Sequence, residues 1–160
     1  MKLLEIEKEI RIDTGAPMPT IISTDNELYL SFYVDKTFDD LHQRDIGSDT
    51  GIVSMVFNRC LKYTFGVPDN ETIDGHPYRK LGLESYAFYE LKGSNIIKEL
   101  QDMSKVHPYY NPKKWENYKH YIITFHDNMF ECVAEGFKIE KTETSMHNQI
   151  ISIWEKISPL

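Results

Sequence analysis

Sulfur chemistry is scarce in this 160-residue chain: its two cysteines, Cys60 and Cys132, are nowhere near the C-x-x-C spacing of zinc or redox sites. Both sit in apolar, strand-like runs and read as buried thiols. No window approaches the roughly 20 apolar residues of a membrane-spanning helix, and Met1-Lys2-Leu3-Leu4-Glu5 turns charged before a signal-peptide core could form. A cytoplasmic protein without a membrane partner is the expectation. Positive charge is short as well, with 18 Lys and Arg against 25 Asp and Glu, a formal net charge of −7. Such a field repels phosphate backbones, so nucleic acid is not an expected partner. The lysine pair in Pro112-Lys113-Lys114 is followed by Trp115 and Glu116 and reads as a solvated loop. There is no H-E-x-x-H or comparable local motif, no internal repeat and no low-complexity tract.

What is present is enough apolar material to fold. Hydrophobic residues make up 41% of the chain and aromatics 12%, so burial can offset chain entropy, and one globular domain over residues 1–160 is expected. From Leu4 to Ile12, apolar Leu4, Ile6, Ile10 and Ile12 alternate with charged residues, the period of a half-buried strand, with Lys8 marking a sheet edge. Thr20–Thr24 and Leu28–Val34 flank Asp25-Asn26 as a hairpin. Asp35–Gly51 is acidic and aperiodic and reads as a long connection. Gly51–Phe65 is rich in Val, Ile, Phe and Tyr and reads as one long strand bent near Asn58-Arg59.

Two prolines and two glycines make Gly66–Tyr78 an irregular, polar loop. Tyr86–Leu91 is the next strand. Ser94 then offers a helix-capping oxygen before Ile96, Ile97, Leu100 and Met103 at helical spacing. Tyr121–Phe125 and Phe130–Ala134 read as a hairpin with Asp127-Asn128 as its two turn residues, which sets Phe125 opposite Phe130 and makes His126 and Glu131 diagonal neighbours. A final helix over Ser145–Ile157 carries an apolar stripe through Met146, Ile150, Ile153, Trp154 and Ile157. Without regular β-α-β alternation, this order predicts an α+β fold: an antiparallel β-sheet with about two packed helices in a single layer of helix on sheet.

Three stretches resemble a family of uncharacterised bacterial proteins. They are Phe65-Gly66-Val67-Pro68-Asp69-Asn70-Glu71, Gly75-His76-Pro77-Tyr78, and Phe125-His126-Asp127 with Phe130-Glu131-Cys132. The family pattern is F-G-x-P-N-D-E, G-H-P-L-Y and F-H-D-x-x-F-E-C, and the resemblance covers roughly Gly51 to Gly136. This chain has Asp69-Asn70 where the pattern has Asn-Asp, and runs from Pro77 to Tyr78 without the leucine. The resemblance implies no established activity; it implies that the Pro68–Tyr78 loop and the His126 hairpin belong together.

The candidate ligand-binding residues are therefore Asp69, Asn70, Glu71, His76, Tyr78, His126, Asp127 and Glu131. Of these, His76, His126, Glu71 and Glu131 are the types that could hold a divalent metal, whose bound water could support hydrolysis. The ordinary role for the same residues is turn chemistry and solvated strand surface. With no complete catalytic motif, the leading expectation is a non-enzymatic binding module, immunity- or adaptor-like, for a protein partner or a small polar ligand, without a cofactor. The alternative is a metal-assisted hydrolase using a His76/His126/carboxylate site.

Overall fold

The computed structural model describes residues 1–35 and 51–159. These form nine strands: β1 (Lys2–Ile6), β2 (Thr20–Ser23), β3 (Glu27–Val34), β4 (Gly51–Asn58), β5 (Lys62–Gly66), β6 (Phe88–Lys92), β7 (Lys119–Thr124), β8 (Met129–Ala134) and β9 (Gly136–Thr142). Three helices, α1 (Asn95–Ser104), α2 (Pro112–Trp115) and α3 (Met146–Ile157), and two 3-10 turns, Ile73–Gly75 and Pro77–Leu81, complete the elements used below. All strand pairing is antiparallel, in one sheet ordered β1-β6-β7-β8-β5 and a second ordered β2-β3-β4-β9. The α+β class is as the sequence indicates, but the strands divide between two sheets that pack face to face, and the helices lie on their outer faces.

Two of the three crossings between the sheets, the third being at Glu135 between β8 and β9, occur at residues with left-handed backbone. The alternation beginning at Leu4 does not run as one strand to Ile12: β1 ends at Ile6, Glu7 has φ 51°, and the Ile10 N–H closes a turn on the Glu7 carbonyl at 3.0 Å. Ile12 then bridges Val34 in the other sheet. In the same way Gly51–Phe65 is not one bent strand. Arg59, with φ 48°, carries the chain from β4 in the second sheet to β5 in the first. A non-glycine residue with positive φ is uncommon, and each of these two marks a sheet crossing. The expected Asp35–Gly51 connection falls on residues 36–50, outside the described residues.

Between the sheets lies the main core. Leu28, Leu30 and Phe32 of β3 and Val53, Met55 and Phe57 of β4 meet Phe88, Tyr121, Ile123, Phe130, Cys132 and Ala134 of the first sheet. Phe57 is the central contact, its ring 5.5 Å from Phe130 and 5.9 Å from Tyr121. On the outer face of the first sheet, Ile122, Tyr89, Leu91 and Met129 pack under Ile73 and Leu83 of the loop between β5 and β6, with Tyr78 and Leu81 at the margin. The outer face of the second sheet is covered by α3 through Met146 and Ile153. Beneath that helix the buried hydroxyls of Ser31 and Ser54 are 2.6 Å apart, and Gln149 Nε2 donates to Ser54 Oγ at 3.0 Å.

Both cysteines are free thiols, Cys132 buried and Cys60 half-buried. Burial pushes the Cys132 thiol well above its ordinary value, and a bond from Cys132 draws the Cys60 thiol down. Among the described residues, no helix is long and apolar enough to cross a membrane.

Candidate functional site

The β7–β8 hairpin sets the geometry, and its register differs from the sequence reading by two residues. Phe125 N–H donates to the Asn128 carbonyl at 2.9 Å, so His126-Asp127 are the turn residues, and Ile123 faces Phe130 while Ile122 faces Glu131. A slip of two keeps every side chain on its expected face. It changes the neighbours, however: the diagonal partner of Glu131 is His120. His126 lies beyond the end of β7, in the turn, six residues along the chain from His120.

His120 is fully buried on the outer face of the first sheet, where its Nε2 lies 2.8 Å from Glu131 Oε2. Its Nδ1 lies 2.8 Å from Ser94 Oγ, the residue that caps α1 by accepting the Ile97 N–H at 3.3 Å. Ser94 Oγ therefore meets both the Ile97 N–H and His120 Nδ1, while His120 Nε2 meets the Glu131 carboxylate. One hydroxyl thus serves two elements.

The other oxygen of Glu131 faces the loop. His76 Nε2 lies 3.9 Å from Glu131 Oε1, beyond hydrogen-bonding distance, and both side chains are about 15% exposed or less. His76 is fixed in place because its Nδ1 accepts the Tyr78 N–H at 3.0 Å, capping the 3-10 turn at Pro77. The Tyr78 ring packs 4.8 Å from His76 and 6.4 Å from His120. Burial lowers the His76 pKa, partly offset by the Glu131 charge. Burial likewise raises that of Tyr78, with Glu131 adding to the effect.

The loop and the hairpin meet a second time near the turn. Asn70 N–H donates to the His126 carbonyl at 2.9 Å, and Asn70 Nδ2 donates to Tyr86 Oη at 3.3 Å. Tyr86 in turn donates to the Thr14 carbonyl at 3.0 Å and bonds His126 Nδ1. His126 is therefore tied to Tyr86 and Asn70, while His76 is tied to Tyr78 and lies near, without bonding, Glu131. Of the remaining expected site residues, Asp69 and Glu71 belong to neither cluster, and Asp127 Oδ1 lies 3.8 Å from His126 Nε2. Asp69 Oδ1 accepts from the Glu71 and Thr72 amides and the Thr72 hydroxyl, at 3.1, 2.9 and 2.7 Å, which makes it a turn former and lowers its pKa. Glu71 is exposed, and the Asp127 side chain is 81% exposed.

These positions separate the four expected metal-binding residues. Among the described residues, no three His, Cys, Asp or Glu side chains converge closely enough to hold a metal. His76 and Glu131 come together, but His126 and Glu71 do not join them. Ser94, His120 and Glu131 have the residue types of a hydrolytic triad, yet Ser94 is 4% exposed and its hydroxyl is committed to a helix cap. The space beside His120 and Glu131, bounded by Lys62, Thr64 and Ile96, measures about 20 Å³, room for about one water molecule and for no substrate. The arrangement is suited to satisfying buried polar groups and to anchoring α1 and the 76–81 turn on the sheet.

Sequence reasoning missed His120 and half-used Ser94, which it identified only as a cap. The signal was available in the parity of the strand, since His120 shares the Ile122 face. No family model matches the chain, and searches of curated proteins and of solved structures give no match either.

Proposed function

We propose that this protein is a non-enzymatic binding module, adaptor- or immunity-like, whose partner is a polypeptide that adds a strand to β5. The observation that carries this reading is a row of exposed apolar residues at alternating positions along a sheet edge: Leu61 at 44%, Tyr63 at 41%, Phe65 at 42% and Val67 at 86% exposure. β5 pairs with β8 on one side and, among the described residues, with nothing on the other. Long apolar edges with free backbone groups invite strand addition, in which main-chain bonds supply affinity and alternate side chains supply selectivity. The polar cluster around Glu131 fits a supporting role, since it lies one strand inward from this edge, with Thr64 facing Glu131.

A library of extended peptides selected on the purified protein tests this. Selected peptides are expected to show apolar residues at every second position, to perturb the Tyr63 and Phe65 amides, and to lose about tenfold in affinity, near 1.4 kcal/mol, in Phe65→Lys. Binding indifferent to Phe65→Lys counts against the reading. So does reproducible turnover in a broad hydrolase screen that His76→Ala abolishes.

A further inference from the structure

The outer edge of β5, unpaired among the described residues, carries enough detail to name its occupant. In β7–β8 the Phe125–Asn128 bond sets the alternation, so Phe130, Cys132 and Ala134 turn their backbone groups to β7, and Met129, Glu131 and Val133 turn theirs to β5. Their partners on β5 are Gly66, Thr64 and Lys62. The N–H and C=O groups of Tyr63 and Phe65 are consequently the ones directed away from the sheet.

We infer that the strand added to this edge is β5 of a second copy of this chain, antiparallel about a twofold axis through Thr64; the inference rests on the strand-addition reading above. In that register Tyr63 faces Phe65 of the partner subunit and Phe65 faces Tyr63 of the partner subunit. These are the residues whose backbone groups point outward, so the two pairs exchange four main-chain hydrogen bonds. Leu61 falls opposite Val67 of the partner subunit, and aromatic and aliphatic cross-strand pairs of this kind are favourable. The edge carries a single charge, Lys62, which falls opposite Gly66 of the partner subunit rather than another lysine. Sliding the strand by two residues in either direction leaves an apolar side chain unmatched. One strand therefore complements itself in one register, the requirement for an isologous contact. The five-stranded sheets of two copies would join into one continuous sheet. An interface centred on one short strand is at the small end of the range, so dissociation in the micromolar range is expected. Each copy carries a formal charge of −7, and added salt screens the repulsion between copies and tightens the pair.

Sedimentation velocity from low-micromolar to near-millimolar protein reads this directly. The expected result is a monomer–dimer equilibrium shifted toward dimer by salt, and a single monomeric species for Phe65→Lys and for Val67→Lys. Val67 is so exposed that its substitution cannot be confused with misfolding. Thr64→Cys in a Cys60→Ser background is expected to give an intersubunit disulfide under mild oxidation, because the axis brings the two positions face to face, whereas Lys62→Cys is not. A wild type that stays monomeric throughout, or a dimer that survives both lysine substitutions, overturns the inference. If the monomer still captures peptides at Tyr63 and Phe65, strand addition stands with a different partner; if it captures none, both readings fall.

Discussion

His76 is held by an interaction that a second proton would break. Its Nδ1 is an acceptor for the Tyr78 amide, and its pKa is lowered chiefly by burial. Because the folded-state pKa lies below the ordinary value of about 6.5, the unfolded chain binds more protons between the two values, and stability rises with pH through that window. The contribution of His76 is thus complete above about pH 6.5 and is lost as pH falls toward the folded pKa. His76→Asn should retain the cap, since an Asn side chain accepts the same amide bond, and should remove this part of the acid sensitivity. Thermal melts from pH 7 to pH 5 check this: the variant should match wild type at the upper end and flatten the decline below it. At this scale the sequence was informative about residue types and faces. It identified His76 and Glu131 as polar groups worth pairing, but a hairpin turn displaced by two residues exchanged His120 for His126. Both Asp127-Asn128 and His126-Asp127 are acceptable turn pairs by local chemistry, and only the bond from Phe125 to Asn128 distinguishes them.

At the scale of elements, the two longer helices were the most legible part, whereas Pro112–Trp115, which reads as a solvated loop, is the short helix α2, started by Pro112 and capped by the Asn111 side chain. Ser94 caps α1 as its spacing suggests, accepting from Ile97 at 3.3 Å, and of the two cap candidates Thr144 and Ser145 it is Ser145 that caps α3, accepting from Asn148 at 3.1 Å. The two caps do not have equal consequences. Ser145→Ala removes one cap bond, which costs about 1 kcal/mol. Ser94→Ala removes the cap and also leaves buried His120 Nδ1 without its partner, so a loss of about 2–3 kcal/mol is expected. Urea titration of the two variants should show the larger drop for Ser94→Ala with an unchanged slope; equal drops would mean that the bond from Ser94 to His120 is energetically idle. The loop from Gly66 to Tyr78 was legible as irregular but not as ordered, since its order depends on the His76 side chain capping the turn at Pro77 and on Ile73 reaching the apolar face of the sheet.

For the whole molecule, alternation announces strands but does not say which sheet each will join. Two of the three crossings, at Glu7 and Arg59, fall inside runs whose alternation reads as a single strand, and the third, at Glu135 between β8 and β9, has no turn signal of its own, which is why one sheet was expected where there are two. The contact between those sheets is concentrated on Phe57, so Phe57→Ala should cost about 3–5 kcal/mol. Trp154→Ala, on the exposed side of α3 with the ring 55% exposed, should stay within about 0.5 kcal/mol. Melting curves of the two variants separate these expectations, and comparable losses would place the main core elsewhere.

The crossing at Arg59 has one more effect. Of the strands that precede it, β1 belongs to the sheet otherwise built from later strands; of those that follow it, β9 belongs to the sheet otherwise built from earlier ones. Each half of the chain lends a strand to the other, β1 beside β6 and β9 beside β4, like two hands that have exchanged a finger. The halves are thereby clasped by ladder hydrogen bonds at two separate places as well as by the core between them. A single cleavage after Arg59 would leave a nicked but intact molecule, because there the peptide bond is only one of four ties.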